Sequence, residues 1–147
     1  QGATILVAGP RFGTGSSREH AVWALMDYGF AAVIAPSFGD IFKNNSSKQG
    51  LVTVVLEPAD VDELTALIKD RPDRLVVVDV EKLSVEVPDA NWRRDFVLDP
   101  VIRERLLNGW DDIGLTLRHE GDISTFETHV ASPDLAELFD AQGHLRP

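Results

Sequence analysis

Two glycines separated by one residue, Gly13 and Gly15, lie between an apolar run and a helix-like run near the beginning of the sequence. The preceding residues 4–8 predict a buried strand, and the following residues predict a helix. A strand, a glycine loop and a helix N-terminus in this order aim unpaired backbone N–H groups and the positive end of a helix dipole at an anion. Arg18 adds a guanidinium that can bind a carboxylate or a phosphate. The sequence therefore predicts an anion-binding site with two serine hydroxyls beside it.

The best-known glycine loops do not fit this segment. A P-loop has a lysine after its last glycine, where this chain has Ser16. A dinucleotide-binding loop has a third glycine at the position of Arg18. A nucleophile elbow has a glycine two residues after its serine, and neither serine of this loop is followed by one.

A purely structural interpretation of the same residues is a capping box. In that interpretation Ser16 is the N-cap of the helix, and Glu19 is its third residue and reaches back to the cap. Such a cap contributes on the order of 1 kcal/mol and requires no chemistry. Arg18 in the first turn argues for more than a cap, because a cation there opposes the helix dipole unless an anion lies nearby.

Other segments predict the remaining elements. Asp60 is expected to cap a helix that continues to Asp70, and Ser37 a short helix that ends at Phe42, with a polar loop over residues 43–50. The apolar runs predict strands at residues 31–35, 51–56, 75–80 and 83–87, the last two forming a hairpin. Further predictions are a helix at residues 101–108, apolar patches within residues 111–127 and a terminal helix at residues 133–143. Strands that alternate with helices in the first half indicate an α/β fold.

Three segments of this chain carry a resemblance to one protein family. They are residues 11–21 (RFGTGSSREHA), residues 37–51 (SFGDIFKNNSSKQGL) and residues 107–117 (LNGWDDIGLTL). Together they resemble the aconitase-type swivelling domain, found in the small subunits of two-subunit isopropylmalate dehydratases and of homoaconitases. The resemblance extends from Ala3 to about Glu127 and implies a three-layer β/β/α domain. We expect a single domain over residues 1–147, without the segment that the family carries upstream.

The resemblance also implies roles for the residues of the loop. Ser16 matches the family's catalytic base, which removes a proton alpha to a carboxylate. Ser17 and Arg18 match its contacts with the substrate carboxylate. The implied reaction is the dehydration and rehydration that interconvert 2-isopropylmalate and 3-isopropylmalate in leucine biosynthesis. Two alternatives stay open: a homoaconitase-like subunit that acts on a tricarboxylate, and a non-catalytic anion-binding or interaction domain.

The family's reaction also depends on a [4Fe–4S] cluster, which cysteines of a separate large subunit hold in the proteins that this chain resembles. This chain has no cysteine and can supply no thiolate ligand for iron or zinc. We therefore expect no cofactor or metal bound by this chain, and a heterodimer with a large cluster-bearing subunit. The expected substrate is a small hydroxy di- or tricarboxylate.

The charge of the chain excludes some partners. Its formal net charge is −10 and its isoelectric point is near 4.7. Such a chain is repelled by nucleic acid and by anionic membrane surfaces. No apolar run in the sequence reaches the length of a membrane span. We expect a cytoplasmic location and neither nucleic-acid nor membrane partners.

Overall fold

The computed structural model describes residues 2–15 and 19–109, which lie within one compact unit formed by residues 1–111. It contains two three-stranded sheets and four α-helices. In chain order, the elements are β1 (Ile5–Val7), α1 (His20–Tyr28), β2 (Ala32–Ala35), α2 (Asp40–Gln49), β3 (Val52–Val55), α3 (Pro58–Asp70), β4 (Val77–Asp79), β5 (Ser84–Val87), a 3-10 turn (Pro88–Ala90), β6 (Trp92–Asp95) and α4 (Pro100–Asn108).

The first three strands form a parallel sheet with β2 in the middle. Ile5 lies opposite Ala32, which in turn lies opposite Val52. All four residues of β2 are buried, because successive side chains of this strand enter two different apolar clusters. Val33 packs with residues of α1 and α2, whereas Ile34 packs with residues of α3 and β5. The central strand is therefore covered on both faces, as the run of apolar residues at 31–35 indicates.

The second sheet is antiparallel, in the order β4-β5-β6. Val85 and Val87 of its central strand are fully buried in the cluster that also contains Ile34. This sheet therefore packs on the face of the parallel sheet opposite to α1 and α2. The α/β class is confirmed, and the hairpin of β4 and β5 is confirmed with shorter strands than predicted.

Helix α1 begins later than the capping box requires. Glu19 occupies the N-cap position, and its carbonyl accepts hydrogen bonds from Val22 N–H at 2.9 Å and Trp23 N–H at 3.1 Å. Its side chain makes no capping hydrogen bond. The capping-box prediction, with Glu19 as the third residue of the helix and Ser16 as its cap, is therefore wrong.

Helix α2 covers the segment for which the sequence predicts a loop. A short helix capped by Ser37 is wrong, because the N-cap is Gly39 and the helix continues through Gln49. Asparagine and serine favour turns, since their side chains compete for backbone hydrogen bonds. Tertiary packing overrides this preference here, because Phe42 and the two serines of this helix are buried on its inner face.

Two further differences concern α3 and β6. Helix α3 begins at Pro58 after Glu57, so the prediction that Asp60 caps it is wrong. Asp60 lies in the first turn, where a carboxylate stabilises the positive end of the helix dipole.

Strand β6 is absent from the predictions because its sequence carries two arginines where an apolar run would be expected. These arginines are paired: Arg93 Nη1 donates to Glu86 Oε1 at 3.0 Å, and Arg94 Nε donates to Asp60 Oδ1 at 2.6 Å.

Helix α4 agrees with its prediction. Asp99 caps it, and the Oδ1 of Asp99 accepts hydrogen bonds from Val101 N–H at 2.8 Å and Ile102 N–H at 3.3 Å. The helix ends before Gly109, which takes the left-handed conformation with φ 64°. The apolar patches at 111–127 and the helix at 133–143 lie outside the described residues, and the single domain over 1–147 stays a prediction. Within the described part of the chain, no helix is both long and apolar enough to cross a membrane.

We expect the hairpin of the second sheet to weaken in acid through Asp79. Its Oδ1 accepts a hydrogen bond from Lys82 N–H at 2.8 Å, and its Oδ2 lies 3.1 Å from Lys82 Nζ. The bond from this N–H, with the ammonium beside it, holds the pKa of Asp79 below its ordinary value. Because the pKa is lower in the folded chain, the ionised carboxylate stabilises the fold above its ordinary pKa. That contribution is lost as the pH falls through the folded pKa.

Asp79→Asn should therefore lower the urea midpoint of unfolding at neutral pH, and this difference from the parent protein should shrink between about pH 5 and pH 2. Asp73→Asn is the control, because the Asp73 side chain is 82% exposed and lies 3.9 Å from its one arginine partner among the described residues. A deficit of Asp79→Asn that stays constant down to the lowest pH would contradict the role of the carboxylate charge.

Candidate functional site

The candidate site is built where the loops after β1 and β2 meet. The N–H of Phe12 donates to the carbonyl of Ser37 at 3.0 Å, and the N–H of Gly39 donates to the carbonyl of Phe12 at 2.8 Å. These bonds form a parallel bridge between Phe12 and Phe38 beyond the ends of the two strands. The carboxyl ends of neighbouring parallel strands are the usual position for a ligand in α/β sheets. The glycine loop is therefore fastened at this edge to the beginning of α2.

The first residue of the glycine loop adopts an unusual backbone conformation. Arg11 has φ 58°, in the left-handed region that residues with side chains adopt rarely. Its N–H donates to the hydroxyl oxygen of Ser37 at 2.8 Å, and this hydrogen bond holds the conformation. Ser37, predicted to cap a helix, thus stabilises the neighbouring loop instead. Strained backbone of this kind concentrates at functional sites, where surrounding structure maintains it.

Three phenylalanine rings fill the space beneath the loop. The ring of Phe12 meets the ring of Phe42 edge to face, with centroids 5.4 Å apart and an interplanar angle of 85°. It meets Phe38 in the same way at 6.3 Å. Phe38 and Phe42 are stacked at 6.1 Å with an angle of 8°. We call Phe12, Phe38 and Phe42 the aromatic cluster. Edge-to-face and offset arrangements are favourable for aromatic pairs.

The backbone of the loop approaches α2 so closely that only glycine fits. A β-carbon at Gly13 would lie 2.6 Å from Cβ and 2.8 Å from Cδ2 of Phe42, and Gly13 has φ +75°. On the other side of the contact, a β-carbon at Gly39 would lie 3.0 Å from the carbonyl oxygen of Gly13. The glycine that opens the motif is therefore required for packing as well as for its backbone conformation.

The loop and the start of α2 enclose an open cleft of about 700 Å³. The described lining residues come from the two loops and the first turn of α2: Arg11, Gly13, Thr14, Gly15, Ser37, Phe38, Gly39, Asp40 and Ile41. They offer a guanidinium, backbone N–H groups at a helix N-terminus and one carboxylate. This arrangement can bind a small anion. Ile41 is 53% exposed and is the aliphatic side chain of this described lining.

The predicted site residues Ser16, Ser17 and Arg18 lie outside the described residues. Gly15, directly before them, lines the cleft, and Glu19, directly after them, is the N-cap of α1. Thr14 and Ser37 carry the hydroxyls of the described lining, and the oxygen of Ser37 accepts a hydrogen bond from Arg11 N–H. The described lining therefore supplies groups that can bind an anion, together with the carboxylate of Asp40.

The sequence analysis missed two lining residues, Asp40 and Ile41. Their position directly after β2 could have indicated them, since residues that follow neighbouring parallel strands meet at one edge of the sheet. Lys48, in the second segment of the resemblance, lies at the other end of α2 and lines a separate cavity with Arg105 and Gly109. Among the residues that the structure describes, no group of three or more histidines or carboxylates is arranged to hold a metal ion.

Comparison with known families assigns the class of this fold. The family model described as the aconitase C-terminal domain matches residues 1–59, which include the glycine loop, both of its flanking elements and α2. A second family model, described as the C-terminal domain of the 3-isopropylmalate dehydratase small subunit, matches residues 112–130. Residues 1–59 of this chain are therefore similar to the aconitase C-terminal domain family. The resemblance found in the sequence motifs is thereby confirmed.

Individual relatives are similar over most of this chain. It is 55% identical over 127 residues to the 3-isopropylmalate dehydratase small subunit of Rubrobacter xylanophilus, and 57% identical over 126 residues to that of Streptomyces avermitilis. These alignments cover 86% of this chain, which spans 63–64% of the length of the two relatives. The crystal structure of 3-isopropylmalate dehydratase from Methanocaldococcus jannaschii is 28% identical with a TM-score of 0.61, and the match covers 83% of this chain and 68% of that one.

Proposed function

We propose that this chain is part of the small subunit of a 3-isopropylmalate dehydratase, a hydro-lyase of leucine biosynthesis. The observation that carries this proposal is the identity of 55–57% to proteins of that name. The match of the aconitase C-terminal domain to residues 1–59 supports it, because these residues form the cleft. The reaction would interconvert 2-isopropylmalate and 3-isopropylmalate by removing water and adding it back at the neighbouring carbon.

In this proposal Ser16 is the base. It takes the proton from the carbon alpha to a carboxylate, the C–H electron pair forms the C=C bond, and the hydroxyl leaves from the adjacent carbon. A serine hydroxyl is too weak a base unless its oxyanion is stabilised by N–H groups and a cation. The surroundings support this, because Ser16 follows Gly15 at the cleft and precedes the N-terminus of α1. Ser17 and Arg18 would bind the substrate carboxylate.

The leaving hydroxyl requires a Lewis acid, the chemistry that a bound [4Fe–4S] cluster with an open iron would supply. The 147 residues contain no cysteine, so we propose that a large partner subunit holds the cluster. This chain then contributes the base and the carboxylate contacts from its side of the cleft. An interface that completes such a site should bury more than about 1,000 Å² in total.

Reconstitution tests this function. The full-length small subunit that contains this chain is combined anaerobically with the large cluster-bearing subunit, and formation of isopropylmaleate from 3-isopropylmalate is followed. We expect turnover only in the mixture, with each subunit alone inactive. Turnover by the isolated small subunit would contradict the shared site. Turnover on homocitrate or homoaconitate but not on 3-isopropylmalate would indicate a homoaconitase-like subunit. No turnover on any of these, with the cluster intact, would indicate a non-catalytic domain.

A further inference from the structure

We propose that Phe42 is a positioning residue for the reaction: through the aromatic cluster, it fixes both flanks of the segment that carries Ser16. This inference rests on the proposed function, since it assigns a kinetic consequence to a packing contact. Phe42 lies on α2 and is 3% exposed, so its ring is part of the core. It is not among the described residues that line the cleft. Its influence on the reaction has to pass through the loop.

The first flank is the glycine loop. Gly13 lies so close to the Phe42 side chain that a β-carbon could not be accommodated between them. Phe12 is held by the rings of Phe38 and Phe42 at centroid distances of 6.3 and 5.4 Å. Two consecutive residues, three and four positions before Ser16, therefore rest on the same ring.

The second flank is helix α1. Its buried residue Val22 belongs to the cluster of Phe42, together with Val33 of β2 and Leu51 before β3. Helix α1 and α2 are in contact. The chain thus leaves the neighbourhood of Phe42 at Gly13 and returns to it at Val22. Any change in the Phe42 ring is transmitted to both ends of the short segment that carries the proposed base.

Replacing the ring by a smaller apolar side chain leaves space where the ring packs against Phe12 and Phe38, because packed interiors relax only partially around a deletion. The loop can then move toward α2 or away from it. A displacement of 1 Å in a reacting group can cost about 10²-fold in rate. A residue that only stabilises the fold would instead lower the stability and leave the rate of the folded enzyme unchanged.

The matched control is Phe96. It is also a buried phenylalanine, 5% exposed, but it lies in the other apolar cluster, between the two sheets. Phe42→Leu and Phe96→Leu make the same chemical change, and both should lower the urea midpoint of unfolding. After reconstitution with the large subunit under conditions where both variants are folded, we expect Phe42→Leu to reduce kcat at least about 10-fold. We expect Phe96→Leu to stay within about twofold of the parent.

A second readout does not depend on activity. Arg11 is exposed at the start of the loop, and release of the loop should accelerate tryptic cleavage after Arg11 in Phe42→Leu relative to cleavage after Lys82, which is exposed between β4 and β5. Phe96→Leu should not change this ratio. If the parent complex turns over and Phe42→Leu retains parental kcat and cleavage ratio, the positioning role is wrong. An inactive parent complex would instead refute the proposed function, and the cleavage ratio would still decide whether Phe42 holds the loop.

Discussion

Ser16→Ala should reduce kcat of the reconstituted enzyme by about 10²–10⁴-fold, the usual contribution of a positioned base. The expected physical reason is that alanine has no oxygen that could take the proton at the position of Ser16. The measurement is the rate of isopropylmaleate formation by the complex at saturating 3-isopropylmalate, with subunit assembly checked by size-exclusion chromatography.

Ser47→Ala is the control for this substitution. Ser47 lies on α2, and its hydroxyl donates to the carbonyl of Asn44 within the same helix at 2.8 Å, outside the cleft. We expect this variant to retain kcat within about twofold, since it is independent of the site. If Ser16→Ala retains activity and loses only about 1 kcal/mol of stability, Ser16 has a structural role. A structural role as the cap of α1 is already disfavoured, because Glu19 occupies that position.

Gly13→Ala should destabilise the folded chain by about 2–5 kcal/mol. The left-handed conformation at φ +75° costs a residue with a β-carbon about 1–2 kcal/mol. The overlap of this β-carbon with the Phe42 side chain adds about 1–3 kcal/mol, as overpacking does in other cores. The free energy of unfolding is measured by urea denaturation followed by tryptophan fluorescence.

Gly50→Ala is the control that separates the cost of the left-handed backbone from the cost of the overlap with Phe42. Gly50 also has a left-handed backbone, with φ +87°, but a β-carbon there has nothing within 4 Å. It caps the C-terminus of the same helix α2. We therefore expect Gly50→Ala to cost only about 1–2 kcal/mol. Equal losses for the two variants would mean that the loop yields to the added methyl group and that the contact with Phe42 is not rigid.

The parallel sheet could be predicted from the sequence because its strands are short apolar runs bounded by turn residues. The run at 31–35 becomes β2 with all four strand residues buried, and the run at 51–56 becomes β3. Helix α4 could be predicted for a similarly local reason, since Asp99, Pro100 and Gly109 mark its two ends. In these segments local preference and tertiary packing agree.

The segments that could not be predicted are those in which distant partners decide. Helix α2 has a polar sequence, and it is helical because Phe42 and Ser46 are buried against neighbouring elements. Strand β6 has two arginines, and it pairs with β5 because Glu86 and Asp60 accept their hydrogen bonds. Asp60 lies 34 residues from Arg94 along the chain, beyond the range of any local pattern.

One part of the candidate site could likewise be predicted from the sequence, and another part could not. The glycine loop and its anion-binding character follow from the order of strand, glycines and helix. The contribution of α2 could not be predicted, because the pattern of residues along the sequence does not indicate that Phe42 lies beneath Gly13. The roles of Ser16, Ser17 and Arg18 come from the family resemblance and stay predictions that the experiments above test.

The bridge between the loops after β1 and β2 has a consequence for protein engineering. The conformation of the glycine loop is held by Ser37, Gly39 and Phe42, all of which belong to the next βα unit. Residues 11–21 transferred alone into another parallel sheet would therefore keep the sequence of the motif but not its backbone conformation. The smallest transferable piece is the pair of βα units from Thr4 to Leu51, and a mutation in either half changes which residues the other half can accept.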